Sequence, residues 1–145
     1  MKINPNPGAM KTTPNNIITL LPNQVFVFGA NEEGIHGKGA AKTAIKFGAL
    51  YYFIGRVGQS YGIPTKKTPY SALSLHEIKI HVNMFLEHSG KNLHEEFLVT
   101  KIGCGLAGYN AKDIAPMFKD KTDNVIIPEE FVFILLKDKF IETDF

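Results

Sequence analysis

Two stretches of this 145-residue chain concentrate residue types that suit phosphate chemistry. One runs from Gly29 to Ala40, GANEEGIHGKGA, and the other from Gly103 to Tyr109, GCGLAGY. Glycine admits positive φ and lets the backbone approach a ligand closely. Eleven of the 13 glycines fall within residues 29–48, 55–62 and 103–108, so the signal is their clustering rather than their number. A helix that starts just after such a loop leaves N–H groups unpaired and carries a positive partial charge, an ordinary setting for phosphate. Two loops of this kind facing one cleft could grip a diphosphate from both sides. Glycines that merely make tight turns are the plainer alternative.

Other groups near these loops have two readings each. His36 could bond a phosphate or act as acid or base, or it could simply shape the turn. Glu32 and Glu33 could meet ribose hydroxyls, or face solvent. Tyr109 could stack on a base, or pack where the following helix begins. Cys104 has no His or acid near it in sequence, so a small buried residue is the expected role rather than a nucleophile. Lys66 and Lys67 add positive potential at the mouth of such a cleft. The five histidines include no H-x-x-x-H pair and have no cysteine partner, so neither a metal nor a cofactor is expected.

The elements that must hold these loops follow from periodicity. Val25-Phe26-Val27-Phe28 is an uninterrupted apolar run and predicts a strand covered on both faces. Gly29-Ala30-Asn31 is expected to break it, and a helix is expected from Lys38 to Phe47, closed by Gly48 in the left-handed conformation. Phe97–Ile102 predicts the strand before the second loop. After that loop comes a helix with Asn110 as cap, Asp113 in its first turn, and Ile114, Met117 and Phe118 inside. Ser74–His88 is the clearest helix, with an S-x-x-E capping box and an apolar stripe of Leu75, Ile78, Val82 and Phe85.

The remaining segments are weaker in pattern. Residues 1–16 are expected to lie loose ahead of a single domain spanning 17–145. Ile17–Leu21 reads as a short edge strand stopped by Pro22. Leu50–Ile54 is a strand or apolar padding. Ser60–Pro64 is a short strand, followed by an exposed loop over residues 64–69. Asn124–Ile127 is a strand, and the last helix starts at Pro128 with Phe131, Ile134 and Leu135 facing inward. Strands and helices alternate, which predicts an α/β fold with helices on both sides of a mixed sheet. Ligands in such folds gather at the carboxyl ends of the strands, where both glycine loops emerge.

Bulk properties narrow the class. The hydrophobic content of 44% and charged content of 21% are ordinary for a globular domain. A net charge of +2, with no basic run, does not by itself argue for nucleic acid. No apolar stretch approaches the length of a membrane span, and the start has no apolar signal-peptide core. A single cysteine excludes an internal disulfide, and a cytoplasmic protein is expected.

The order of the motifs resembles the macrodomains, which bind ADP-ribose, and in particular the branch of the terminal ADP-ribose protein glycohydrolase and of antitoxins that strip ADP-ribose from DNA. Phe28-Gly29-Ala30-Asn31 is similar to the family's first binding strand, which ends in Asn. His36-Gly37-Lys38-Gly39-Ala40-Ala41 is similar to the branch's G-x-G-I-A helix start, Ile63-Pro64-Thr65-Lys66-Lys67 to its I-T-K-K strand end, and Ile102-Gly103-Cys104-Gly105-Leu106 to its I-G-C-G-L diphosphate loop. A family of small phage and bacterial proteins with the pattern FGxN…HGxGAA…IGCGLAGY is also similar.

The resemblance implies a three-layer α/β/α fold with a mixed central sheet, and a ligand that is ADP-ribose or a related nucleotide, free or carried on DNA or protein. Gly29, Ala30 and Asn31 would line the distal ribose, with Asn31 bonding it. Gly37, Lys38, Gly39 and Ala40 would pass beside the ribose and phosphates. Gly103, Cys104, Gly105, Leu106, Ala107 and Gly108 would wrap the diphosphate, with Tyr109 at its edge. The branch's nucleophilic lysine would fall on Lys46 or Lys42, with Asn31 and His36 assisting; the plain alternative for Lys46 is a solvated helix lysine. The glycohydrolase has an acid after G-C-G-L, and Ala107 stands there in this chain. That departure leaves two expectations open, an ADP-ribosyl hydrolase or a protein that holds a nucleotide, an NAD-derived signal or an RNA end without chemistry.

Overall fold

The structure, a computed structural model, describes residues 11–143. The strands are β1 (Gln24–Asn31), β2 (Gly55–Val57), β3 (Ser60–Thr68), β4 (Ser71–Ala72), β5 (Glu96–Val99) and β6 (Val125–Ile126). The α-helices are α1 (Gly39–Ala44), α2 (Leu75–Gly90), α3 (Ala111–Ile114) and α4 (Glu129–Thr143). Short 3-10 turns, Ile45–Phe47 and Ala115–Phe118, extend α1 and α3. The sheet order is β2-β3-β1-β5-β6, with β4 also on β3. β1 runs parallel to both β3 and β5, β5 runs parallel to β6, and β2 and β4 are antiparallel to β3. The sheet is therefore mixed.

Strand pleating splits β1 between two cores, since alternate side chains leave opposite faces. Val25 and Val27 join Ile63, Ile78, Val82, Phe85, Phe97 and Phe131 on the face covered by α2, α3 and α4. Phe26, Phe28 and Ala30 join Ala44, Leu98 and Ile126 on the face covered by α1 and the segment around Ile17. The result is the expected three-layer α/β/α arrangement, with one layer much thinner than the other. No helix among the described residues is long and apolar enough to cross a membrane.

Helix α2 forms where its signals place it. Ser74 accepts from the Glu77 N–H at 3.2 Å while Glu77 accepts from the Ser74 N–H at 3.2 Å, closing the capping box. Ile78, Val82 and Phe85 are buried on one side. Gly48 takes a φ of 109°, as its position after the short helical turn requires.

Several expectations are corrected. β1 does not break at Gly29 but continues to Asn31, because Gly29 and Ala30 keep pairing with Ile63 and Pro64 of β3. β3 does not stop at Pro64; it runs to Thr68, since Pro64 is paired to Ala30 and Lys66 and Thr68 pair with β4. β5 ends at Val99, short of Ile102. Ile17–Leu21 forms no strand; Ile17 is buried against the apolar face of Phe26 and Leu98 instead of hydrogen-bonding at a sheet edge. Leu50–Ile54 is a largely exposed turn. β2, a three-residue strand, had no pattern to announce it. Of the segment expected to lie loose, residues 1–10 are outside the described residues, whereas Thr13 is buried and bridged to Pro128, and its hydroxyl donates to Ile126 O.

One polar clamp joins β2 to the turn before β5. Arg56 donates to both carboxylate oxygens of Glu95, at 2.8 and 2.6 Å. That bidentate bond holds the Glu95 carboxyl below its ordinary range. His88, 3.3 Å from Arg56 Nη1, is held below the ordinary histidine range by burial and then by the Arg56 charge.

Two predictions follow from this packing. Phe85→Ala removes a fully buried ring packed against Tyr61, Phe97 and Phe118, and urea denaturation should show a loss of about 3–5 kcal/mol. A depressed carboxylate makes the unfolded chain bind more protons in acid, so the Glu95 contribution is complete above 4.5 and is lost as pH falls through the lower folded value. The acid limb of a pH–stability curve should therefore be less steep in Arg56→Gln than in the parent chain.

Candidate functional site

The parallel pairing of β1 with β5 brings the two glycine-rich loops side by side. At Gly29 a side chain would stand 3.6 Å from the Gly103 nitrogen and 3.3 Å from Thr65 Oγ1, so the three strand ends converge there. Gly103 has a φ of 74° and lies against Ile114, where a Cβ would come within 2.9 Å of Cδ1. A larger residue at this position would meet both strain and a clash.

The second loop closes on itself but leaves donors over. Cys104 N–H reaches Lys101 O, Gly108 N–H reaches Gly105 O at 3.0 Å, and Tyr109 N–H reaches Gly103 O at 2.9 Å. The amides of Gly103, Gly105, Leu106 and Ala107 have no protein acceptor among the described residues. Gly105 and Leu106 are exposed. Asp113 accepts from the Asn110 N–H at 3.1 Å and fixes the start of α3. Of the loop amides, Gly108's N–H and that of Cys104 are used inside the loop. Burial, and then the nearby Glu130, push the Cys104 thiol up, away from nucleophilic use.

The first loop is braced differently from the sequence expectation. Asn31 is buried, and its amide closes on Ile35, donating to the carbonyl at 2.8 Å and accepting from the N–H at 3.1 Å. It shapes the loop, and its amide already has partners on both sides. His36 is fully buried, with Nε2 2.9 Å from Leu50 O and 3.2 Å from Phe53 O. Carbonyls only accept, so Nε2 carries the proton. Nδ1 has no partner among the described residues. Of the two readings of His36, the turn-shaping one describes its place. Gly37, Lys38 and Gly39 are exposed, and their amides have no backbone acceptor among the described residues. α1 has six residues, too few to build much aligned dipole. The helix end therefore adds little positive potential to this loop.

Lysine placement is the main surprise. Lys46 and Lys42 are both exposed, whereas a nucleophilic lysine needs burial or a neighbouring cation. Lys66 has both. Because β3 extends past Pro64, Lys66 sits opposite Asn31 at the carboxyl end of the sheet. Its ammonium is held below the usual lysine range by burial and then by the Lys38 charge. Its Nζ donates to Pro69 O at 3.3 Å, and it has no acid partner among the described salt bridges. The sequence places Lys66 in an exposed loop at the mouth of the cleft and gives it no role beyond positive potential, because the pairing of Pro64 with a neighbouring strand is not visible there.

Other candidates fall elsewhere. The Tyr109 hydroxyl donates to Leu73 O and its ring packs on the core, so it is a packed aromatic rather than a free stacking surface. Ala30 is a buried core residue. Glu32 turns to His81, at 3.8 Å. A groove of about 700 Å³ opens beside the second loop, between Lys101, Asn110, Lys112 and the first turns of α4, and not between the two loops. No group of three potential metal-ligating side chains converges among the described residues.

A lysine held below its usual range presents more free amine at a given pH. Labelling with a limiting amount of an amine-reactive reagent in mild alkali, read by peptide mass spectrometry, should modify Lys66 ahead of its stoichiometric share relative to Lys46. Equal labelling of the two would contradict the placement described.

No protein-family model matches this chain, and neither a curated protein nor a solved structure matches it.

Proposed function

We propose that this domain binds ADP-ribose or a nucleotide derived from it, with the diphosphate between the two glycine-rich loops. One observation supports the reading above the others. Loops from two adjacent parallel strands leave the sheet at one edge, with the amides of Gly37–Gly39 on one side and of Gly103, Gly105, Leu106 and Ala107 on the other unpaired. Lys38 and Lys66 stand at the same edge without acid partners among the described residues. Unpaired amides and unbalanced cations are what a dianionic diphosphate satisfies. A single cysteine, Cys104, suits a cytoplasmic setting.

Binding without hydrolysis is the form of the proposal that Ala107 favours, because no acid follows Leu106 to assist a leaving group. A specific observation supports a hydrolytic extension: Lys66 has the desolvation and the cationic neighbour of a nucleophilic amine. In that extension Lys66, and not Lys46, attacks the anomeric carbon and displaces the carrier, and water then releases ADP-ribose.

Calorimetry with ADP-ribose tests the binding; absence of heat at millimolar ligand would sink it. Lys66→Met keeps the stem and removes the charge, and should weaken binding by about 1.5–3 kcal/mol. Incubation with labelled ADP-ribosylated DNA and protein separates the two forms. Retention without cleavage supports the binder, whereas release that disappears in Lys66→Met supports the hydrolase.

A further inference from the structure

From Gly34 to His76 the sequence carries Lys38, Lys42, Lys46, Arg56, Lys66 and Lys67 and neither Asp nor Glu. Arg56 is neutralised by Glu95. The five lysines have no salt-bridge partner among the described residues. Lys38, Lys42 and Lys46 are all exposed: Lys38 is the extended residue before α1, Lys42 lies in α1 and Lys46 in the 3-10 turn that follows.

The same acid-free stretch holds exposed aromatic rings. Tyr51 is 47%, Tyr52 79%, Phe53 58% and Tyr70 96% exposed. The first three form a ledge that hydrogen bonds brace from behind. Tyr52 has a φ of 71°, which bulky residues adopt only when their surroundings impose it. The imposing contacts are specific. Tyr52 N–H donates to Gly34 O at 2.8 Å, buried His36 bonds the carbonyls of Leu50 and Phe53, and the Tyr51 hydroxyl donates to His36 O at 3.3 Å. A Cβ on Gly34 would come within 2.6 Å of Tyr52 Cα, so the close approach requires glycine. A buried histidine and a tyrosine at positive φ thus brace a turn whose rings stand exposed.

The ledge, Lys38, Lys66 and Tyr70 are linked by a chain of neighbours. The ledge is bonded to the loop that ends at Lys38, the Lys38 charge bears on Lys66, and Lys66 bonds Pro69, next to Tyr70. Glu32, turned toward His81, and exposed Glu33 precede this stretch.

We propose that this face binds single-stranded nucleic acid, with bases stacked on the 51–53 ledge and on Tyr70 and phosphates following Lys38, Lys42 and Lys46. Outward rings beside unpaired lysines are the two parts of a sequence-tolerant single-strand site. A duplex fits less well. Its bases are already stacked, and α1, at six residues, is too short to read a groove. The inference does not depend on the diphosphate reading.

Fluorescence anisotropy of a labelled oligothymidylate in low salt is the test, alongside a duplex of equal length and sedimentation with phosphatidylserine vesicles. Saturable binding that favours the single strand is expected. Tyr70→Ala and Phe53→Ala should each weaken it about tenfold. Lys42→Glu should flatten the log–log salt dependence by about 0.7. ADP-ribose heats should be unchanged in Tyr70→Ala, so failure of one proposal is distinguishable from failure of the other. No oligonucleotide binding in low salt, equal affinity for the duplex, indifference to both aromatic substitutions, or capture by vesicles alone would each overturn the proposal.

Discussion

The parallel pairing of one central strand with both neighbours governs this molecule. β1 aligns Phe28 with Gly62 and Val27 with Val99, so three carboxyl ends reach the same edge together. Backbone hydrogen bonding enforces that alignment, and a slip of one residue would exchange its two faces, sending Val25 and Val27 to the α1 side and Phe26 and Phe28 to the other. Everything assigned to the edge, including the adjacency of Gly29 and Gly103, inherits its geometry from this register.

The edge is left electrostatically unbalanced. Some charges elsewhere are paired, as in the Arg56–Glu95 clamp and the Lys11–Glu96 pair. At the strand ends the protein places a partly buried Lys66 near Lys38 with no acid partner among the described residues; burial and then the Lys38 charge disfavour the charged form of Lys66. Such unrelieved repulsion lowers stability slightly and raises the attraction for an anion; sites of this kind are where function and stability part company. The His36 brace belongs to the same pattern. It is buried against Phe28 with one ring nitrogen unpartnered among the described residues, and it also holds an exposed aromatic turn in place.

The elements that could be read directly were those whose signal is local and periodic. The capping box at Ser74, the apolar stripe of α2 and the two-faced run at Val25–Phe28 each state their own environment. Elements set by partners could not be read this way. Pro64 looks like a strand terminus in isolation, yet it pairs with Ala30 of β1, and neither β2 nor β4 pairs with it on the other side, and so β3 continues and Lys66 arrives at the strand ends. Ile17–Leu21 has strand composition, but an open apolar face at Phe26 and Leu98 competes for it and prevails. Within the site, the glycine loops and their order were visible as composition. The closure of Asn31 on Ile35, and the carbonyls that take up His36, are tertiary facts with no sequence signature.

The claim that both loops address one diphosphate is tested most directly by amide chemical shifts. In nitrogen–proton spectra titrated with ADP-ribose, the account predicts that Gly37–Gly39 and Gly103, Gly105, Leu106 and Ala107 move together along a single saturation curve. Shifts confined to one loop, or centred instead on the groove beside Lys112 and Phe133, would contradict it.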